Sequence, residues 1–213
     1  MKKLMFNAVT VAALTATLAV AMPASAAGTP ISTAPGQNKL LCFDGTTDGG
    51  FGGICTLIGK GAKGPATLDN TDSNAAGDYS GVYIANTTLS GQLLSQVTQL
   101  SYNYTGTTVP TPGDLSLNVP LDTNNDGVTD LYAFIDAAYA PGTGGRVNVI
   151  HDVVCGIYVG GTDFYPNWAA LVAAHPTWKV ATDAVPFVIA ERTPSEGPAF
   201  WTVSNVTLGK GGK

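Results

Sequence analysis

The chain contains 213 residues with a formal net charge of −5, and only 12% of its residues are charged. This length is enough for one domain with a sizeable hydrophobic core. The excess of acidic residues argues against nucleic acid as a partner, because phosphate binding needs basic clusters. Thirteen of the 15 acidic residues are aspartates, which favour turns and cation-binding loops over helices.

Residues 1–26 have the three features of a secretory signal peptide. Lys2 and Lys3 precede an apolar run over 8–21, and the small residues at 24–26 suit cleavage by signal peptidase. A membrane anchor is the alternative, but the run ends before the roughly 20 apolar residues that a spanning helix needs. We therefore predict a secreted, extracellular protein without a membrane anchor, with the periplasm as a further destination.

A single β-sandwich domain is predicted over residues 38–213, after a flexible Pro-, Ser- and Thr-rich lead-in over 27–37. Apolar residues take every second position over 100–104 and 115–121, as expected for strands with one buried face. Many short strands separated by Gly, Pro and Asn turns predict a mainly β fold, a β-sandwich or jelly roll with one short helix. Further strands are predicted over 40–43, 54–58, 79–85, 131–135, 147–150, 187–190 and 201–208.

The one short helix is predicted to begin shortly after Thr162. Thr162 or Asp163 is expected to cap its N-terminus, and Pro166 suits the first turn. Pro176 is expected to stop it. His175 would then lie at the C-terminal end, where a positive charge interacts favourably with the helix dipole.

Three cysteines in an exported chain predict one disulfide bond and one remaining thiol. Cys42 and Cys55 flank a Gly-rich stretch that we expect to be a loop between two strands, so their pairing is the preferred interpretation. A disulfide that closes a loop of this length contributes about 3 kcal/mol in the chain-entropy view. Cys155 lies in a predicted apolar strand over 153–159 and is expected to be buried and inert, although its pairing with either of the others stays open.

The strongest chemical pattern lies between two predicted strands, over residues 122–130. Oxygen-bearing side chains occupy alternate positions around a Gly turn, and one backbone carbonyl falls between them. Hard cations such as calcium are bound by sets of oxygens of this kind. The expected calcium ligands are the side chains of Asp122, Asn124, Asp126 and Asp130 and the carbonyl of Val128.

This pattern resembles the DxNxDGxxD calcium loops of dockerins, thrombospondin type 3 repeats and FG-GAP repeats. The resemblance implies a calcium ion that braces a hairpin. The loop departs from an EF-hand because its twelfth position is Ala133 and not glutamate, and Asp136 is a candidate for the missing carboxylate. The alternative is a hairpin turn without an ion, since Asn-Asp-Gly is a strong turn former. A second acidic stretch over 69–78 is an alternative ion site, but its spacing is irregular and it is expected to be a polar loop.

Aromatic side chains give a second candidate site. The candidates are Tyr83, Tyr102, Tyr104, Trp168 and Trp178, which are expected to stack against sugar rings if the fold presents them at the surface. The alternative is that they pack in the core. The segment over 201–208 resembles the last strand of carbohydrate-binding jelly rolls, and the overall pattern resembles that of uncharacterised bacterial secreted β-sandwich proteins.

The sequence contains no pattern typical of a catalytic centre. His151 and His175 are the two histidines, and neither belongs to a metalloprotease, serine-hydrolase or zinc-binding motif. Glu191 and Glu196 are expected in an exposed loop, where Arg192 could pair with one of them. Two facing Asp carboxylates, as in a glycosidase, stay open as an alternative.

Three functions follow from these patterns. The preferred one is a secreted, calcium-stabilised β-sandwich that binds a glycan or another polymer without catalysis. The alternatives are a surface or matrix protein without a small ligand, and a hydrolase of an extracellular polymer. A groove with exposed aromatic rings favours the first function, whereas two carboxylates across a cleft favour the third.

Overall fold

The computed structural model describes residues 38–46, 52–58, 65–71, 78–85, 87–139, 144–152, 155–192 and 196–209. The predicted signal peptide over 1–26 and the lead-in over 27–37 lie outside these residues. Within the described part of the chain, no helix has the length and apolar character needed to cross a bilayer.

The described residues form 13 strands, one α-helix and two short 3-10 helices. In chain order the strands are β1 (Lys39–Asp44), β2 (Ile54–Leu57), β3 (Ala66–Asn70), β4 (Asp78–Ala85), β5 (Gln99–Gly106), β6 (Leu115–Asp122), β7 (Leu131–Asp136), β8 (Gly144–Asn148), β9 (Ile157–Val159), β10 (Asp163–Tyr165), β11 (Lys179–Val180), β12 (Phe187–Arg192) and β13 (Ala199–Gly209). The helix α1 spans Trp168–Ala174, and the 3-10 helices span Leu94–Gln96 and Ala137–Tyr139.

These strands form two antiparallel sheets. The larger sheet has the order β1-β4-β12-β6-β7-β9-β10, with β11 paired to the end of β6, and the smaller sheet has the order β2-β3-β13-β5-β8. Four consecutive strands of each sheet, β4-β12-β6-β7 and β3-β13-β5-β8, have the strand order of a jelly roll. The predicted fold class is therefore confirmed.

The two sheets enclose one hydrophobic core. Strand β6 contributes the alternating residues that the sequence pattern identified, namely Leu115, Leu117, Val119 and Leu121, all fully buried. The smaller sheet contributes large aromatic side chains, among them Trp201. Since alternate residues of β6 face inward, the others face the outer side of the larger sheet.

Most predicted strands are present with small differences at their ends, although the strand predicted over 147–150 begins at Gly144 and ends at Asn148. Strands β3, β10 and β11 were not predicted. The expected polar loop at the second acidic stretch is partly wrong, because Asp69 and Asn70 end strand β3. Asn70 is fully buried and bonds to Ser80 and to the carbonyl of Ala190, so a polar residue here belongs to the interior.

The predicted disulfide between Cys42 and Cys55 is confirmed. It joins β1 of the larger sheet to β2 of the smaller one, and so connects the edges of the two layers. Cys155 is buried with a free thiol, and burial raises the pKa of this thiol to about 11. A thiol with so high a pKa is a poor nucleophile at neutral pH, as expected from the sequence.

The predicted cap of the helix is wrong. Asn167 caps α1, because its side-chain oxygen accepts a hydrogen bond from the backbone N–H of Ala170 at 2.9 Å. Thr162 lies in the turn before β10, and Asp163 is the first residue of that strand. The segment pairs with β9, and tertiary pairing decides its structure against the local capping preference. The helix ends at Ala174, close to the predicted stop.

Candidate functional site

The structure corrects the prediction that Tyr102 and Tyr104 stack against sugars at the surface. Both lie on the inner face of β5 and are 0% and 1% exposed. Burial raises the pKa of both tyrosines, most strongly that of Tyr102. Their alternation with polar residues was correctly interpreted as a strand pattern, but the aromatic face of that strand is the core face.

The two predicted tryptophans also fail to form an open platform. Trp168 is buried, and its indole N–H donates to the carbonyl of Leu94 at 3.1 Å. Trp178 is half-buried and stacks on His175, with ring centroids 3.5 Å apart. His175 also contacts the hydroxyl of Tyr165 through its Nε2 at 2.6 Å, so this cluster fixes the end of α1 against β10.

An exposed aromatic row lies instead on the outer face of the larger sheet. Phe134 of β7 is directly opposite Tyr158 of β9, and Tyr158 is directly opposite Phe164 of β10. Side chains that are opposite in an antiparallel pair project from the same face. Phe134, Tyr158 and Phe164, here called the aromatic row, therefore stand side by side across three strands.

The rings of this region are accessible to solvent. Phe134 is 37% exposed and Phe164 is 47% exposed, while Tyr158 is half-buried between them. Contiguous exposed aromatic surface is uncommon on soluble domains and often marks a binding site. The rings of Tyr158 and Phe164 lie 5.1 Å apart and are tilted by 58°, so the row is not a flat platform.

Tyr139 extends the row on one side. Its ring lies 6.2 Å from that of Phe164, and its hydroxyl is 3.2 Å from the hydroxyl of Tyr158. That hydrogen bond raises the pKa of Tyr139 to about 12, so the phenol stays neutral. Gly156 has φ of +48°, and a Cβ atom there would come within 2.1 Å of the Tyr139 ring. The glycine therefore allows the ring to lie directly against the backbone.

Further rings cover the other half of the same sheet face. Tyr83, Phe187 and Tyr132 make ring contacts with centroids 5.7 to 6.0 Å apart, and Phe43 packs on Tyr83 at 4.4 Å. Phe187 is only 7% exposed. This second group is therefore mainly a packed layer, whereas the aromatic row is the open part of the face.

A cleft of about 320 Å³ adjoins the aromatic row. This volume is at the lower end of the range for small-molecule sites, enough for one small ring. Two members of the row form part of its wall, together with two carboxylates, one hydroxyl group and turn residues. The lining residues are Pro112, Gly113, Ser116, Phe134, Asp136, Tyr158, Gly161 and Glu191.

Asp136 is the buried carboxylate of the cleft. Its Oδ2 accepts a hydrogen bond from the N–H of Gly113 at 2.7 Å, and its Oδ1 accepts one from the N–H of Ala138 at 2.9 Å. Burial raises the pKa of Asp136, and the nearby charge of Asp114 raises it further, while the two N–H groups partly offset these effects. The carboxylate is thus held in one orientation.

Glu191 is the second carboxylate of the cleft. It belongs to β12 and not to a loop, which corrects the sequence expectation, although it is exposed as predicted. Despite this exposure, the protein atoms around the carboxyl group remove part of its hydration and raise its pKa. Among the described residues, no donor forms a hydrogen bond with this carboxyl group.

Arg192 does not neutralise the cleft. It projects to the inner face and forms an ion pair with Asp114 at 2.7 Å, in which both side chains are buried. It also donates to the carbonyls of Glu196 and Gly197, and its guanidinium lies 5.7 Å from the ring of Trp201. The predicted pairing with a glutamate side chain is replaced by this interior network.

The loop over 122–130 forms a compact network of Asx turns. Asp122 is buried, and its two oxygens accept backbone N–H groups from Asn125, Asp126 and Gly127 at 2.6 to 3.2 Å. Asn125 and Gly127 have φ of +70° and +89°, which Asn and Gly tolerate best. The sharp turn that the sequence indicated is therefore present.

The other predicted ligands also bond within this loop. Asn124 Oδ1 accepts from the N–H of Asp126 at 2.9 Å, and Asp126 Oδ1 accepts from the N–H of Val128 at 2.8 Å. Asp130 Oδ2 accepts from both the N–H and the hydroxyl of Thr123 at 2.8 and 2.7 Å, which lowers the pKa of Asp130. The hard oxygen donors match the chemistry that calcium prefers. Among the residues that the structure describes, however, no three Asp, Glu, His or Cys side chains converge as a metal site.

The acidic residue nearest to this loop from outside it is Asp183, not Asp136. Asp183 Oδ1 accepts from the N–H and the hydroxyl of Thr129 at 3.0 and 2.6 Å. Asp136 lies at the far end of β7, about 17 Å along the strand from the loop. The suggestion that Asp136 completes a calcium site is therefore wrong. Asp183 was not predicted because it lies 54 residues from Thr129 in the sequence, and only the fold brings the two together.

No protein-family model matches the chain, and a search of curated proteins finds no significant match. The function is therefore inferred from the geometry of the aromatic row, the cleft and the acidic loop.

Proposed function

We propose that this protein is a non-catalytic glycan-binding module that holds a glycan chain on the outer face of its larger sheet. The observation that carries the proposal is the register of β7, β9 and β10, which aligns Phe134, Tyr158 and Phe164 beside a cleft. C–H groups on a sugar ring pack against aromatic rings, and sugar hydroxyl groups bond to polar side chains at the edge.

The tilt between neighbouring rings favours a single glycan chain over a flat crystalline polymer. Rings inclined by 42° and 58° cannot all lie against one plane. A separate chain can twist from one ring to the next, with one sugar unit entering the cleft. Ser116 and Asp136 in the cleft wall then offer polar groups to its hydroxyls.

The test is a panel of soluble oligosaccharides, measured by calorimetry with the purified protein and two double variants. Phe134→Ala with Phe164→Ala removes the exposed rings of the row. Ile54→Ala with Leu57→Ala removes comparably exposed apolar side chains from β2 of the smaller sheet and is the matched control. We expect at least one ligand whose affinity falls by about tenfold or more in the first variant and is unchanged in the second.

The opposite results distinguish the alternatives. Binding that survives removal of the row overturns this proposal. If no oligosaccharide binds and the protein forms regular oligomers in solution, a surface or matrix protein without a small ligand is the better account.

Calcium at the loop over 122–130 is a second part of the proposal. The support is the set of hard oxygens on a turn that already has the required sharp bend. Asp126 keeps its Oδ2 without a hydrogen bond among the described residues. Asp183 is joined to the same loop through its hydrogen bonds with Thr129 and is a candidate further ligand. The ion would draw these carboxylates toward Asp122 and stabilise the β6–β7 hairpin.

Export of the protein from the cytoplasm is a third part of the proposal. The disulfide between Cys42 and Cys55 suits an oxidising compartment. Mass spectrometry of protein recovered from the medium or periplasm of the producing cell tests this directly. A chain that begins at residue 27 is the expected result, and an intact chain retained in the cytoplasm would contradict it.

Hydrolysis of a glycan is a second candidate function, favoured by one observation. Asp136 and Glu191 both line the cleft, and loss of hydration raises the pKa of each carboxyl group, as is usual for the acid of a glycosidase. Release of new reducing ends from a bound oligosaccharide, lost in Glu191→Gln, would establish this activity. Binding without any product supports the non-catalytic function.

A further inference from the structure

We infer that the cleft between Asp136 and Glu191 binds a protonated amine, so that the preferred glycan contains amino sugars. This inference rests on the proposed glycan-binding function and specifies its ligand. None of the described residues that line the cleft is basic, and the carboxylates and aromatic rings of the cleft both attract a positively charged amine.

Glu191 supplies the first argument. Its carboxyl group lines the cleft beside Phe134 and Asp136, where neighbouring protein atoms remove part of its hydration although the residue is exposed, and no donor among the described residues bonds to it. A partly dehydrated carboxylate without a partner is unfavourable, and an incoming cation removes that cost. A neutral sugar hydroxyl would compensate it less, because hydrogen bonds between two charged groups are stronger.

The charge around the cleft supplies the second argument. Asp136 is fixed by two backbone N–H groups and adds a second negative charge to the wall. Arg192, the neighbour of Glu191 on β12, is committed to Asp114 on the inner face. The wall of the cleft therefore has a net negative charge that attracts a cationic ligand group, and an acidic sugar would be repelled.

The aromatic wall supplies the third argument. Phe134 and Tyr158 line the same cleft as the two carboxylates. The faces of aromatic rings attract cations, and this attraction increases when the cation is partly desolvated. Carboxylates and ring faces together recognise an ammonium group on a sugar, whose apolar face can rest on the row beside it.

The test compares a glucosamine tetrasaccharide with its fully N-acetylated counterpart, by calorimetry at a pH below the pKa of the sugar amine. Acetylation keeps the sugar backbone and removes the charge. We expect the amine form to bind about tenfold more tightly. Glu191→Gln should remove most of this preference, whereas binding of the acetylated form should change by less than about twofold.

The matched control is Glu196→Gln, which alters the other glutamate of the chain, an exposed residue that does not line the cleft. It should keep the full preference for the amine. Equal affinity for both tetrasaccharides, or a preference that survives Glu191→Gln, overturns the amine inference. If in that case the Phe134 and Phe164 double variant still loses binding, the glycan-binding function stands without it. Absence of binding by both ligands and by the wider panel overturns both.

Discussion

The loop over 122–130 and the cleft beside Phe134 both concentrate acidic side chains, but they satisfy them in opposite ways. In the loop, Asp122 accepts three backbone N–H groups within a few residues of itself. In the cleft, Glu191 has no such donor among the described residues. The buried carboxylate of the loop therefore has its hydrogen-bond donors within the loop, whereas the Glu191 carboxylate of the cleft has none among the described residues. An acidic motif that is conspicuous in a sequence need not be the acidic site that is open to a ligand.

The largest effect should come from Asp122→Ala. This change removes three hydrogen bonds from a buried carboxylate and should lower the free energy of unfolding by about 2 to 3 kcal/mol. Urea denaturation measures it. Asp126→Ala, which removes one exposed hydrogen bond, is the control and should cost less than about 1 kcal/mol. Equal effects of the two variants would show that Asp122 does not organise the loop.

Phe164→Ala should have the next largest effect, which should be on glycan affinity and not on the free energy of unfolding. Loss of one stacked ring should reduce glycan affinity by about tenfold, or about 1.4 kcal/mol. Because Phe164 is 47% exposed at the edge strand β10, the free energy of unfolding should change by less than about 0.5 kcal/mol. A variant that loses stability and affinity together would indicate that the ring supports the fold and not the ligand.

Calcium should have a smaller effect, confined to the loop. If the ion binds, calcium at ten times its dissociation constant should stabilise the protein by about 1.4 kcal/mol, which thermal unfolding with and without a chelator detects. Asp183→Asn should weaken this response, whereas Asp136→Asn should leave it unchanged, because Asp136 lies at the other end of β7. An unchanged melting temperature with no calcium by elemental analysis would remove calcium from the account.

The smallest effect concerns the pH dependence of stability at Glu191. Its pKa is raised in the folded state, so the protonated form is favoured by folding. Stability should therefore fall as the pH rises from the unfolded pKa to the raised folded pKa, and should be constant above it. Glu191→Gln should remove this component, and the remaining slope then reflects other groups such as Asp136. Identical pH profiles for both proteins would contradict the raised pKa of Glu191 in the folded state.

The sequence predicted the fold better than the site, for a physical reason. Alternation over 115–121 is a local signal, and it identified the buried face of β6 correctly. The same alternation over 100–104 could not say whether Tyr102 faces the core or the solvent, since both arrangements have period two. The packing of β5 against the other sheet determines that Tyr102 faces the core.

The aromatic row depends on strand pairing that no local pattern contains. Phe134, Tyr158 and Phe164 lie in three separate strands, and a shift of one residue in either pairing would turn rings away from one another. Strand β10 was not predicted, because Asp163 at its start is also a residue type that caps helices. The loop over 122–130, by contrast, is contiguous, so its turn geometry was predictable even though its ion stays a prediction.

The most direct measurement of the central claim is an NMR titration of the labelled protein with a glycan ligand. The account predicts that backbone amide signals of Phe134, Tyr158 and Phe164 shift on binding, together with those of the cleft wall at Glu191. The amides of Tyr102 and Tyr104 in the smaller sheet should be unaffected. Shifts confined to the smaller sheet or to the loop over 122–130, with the aromatic row unchanged, would contradict the proposed binding face.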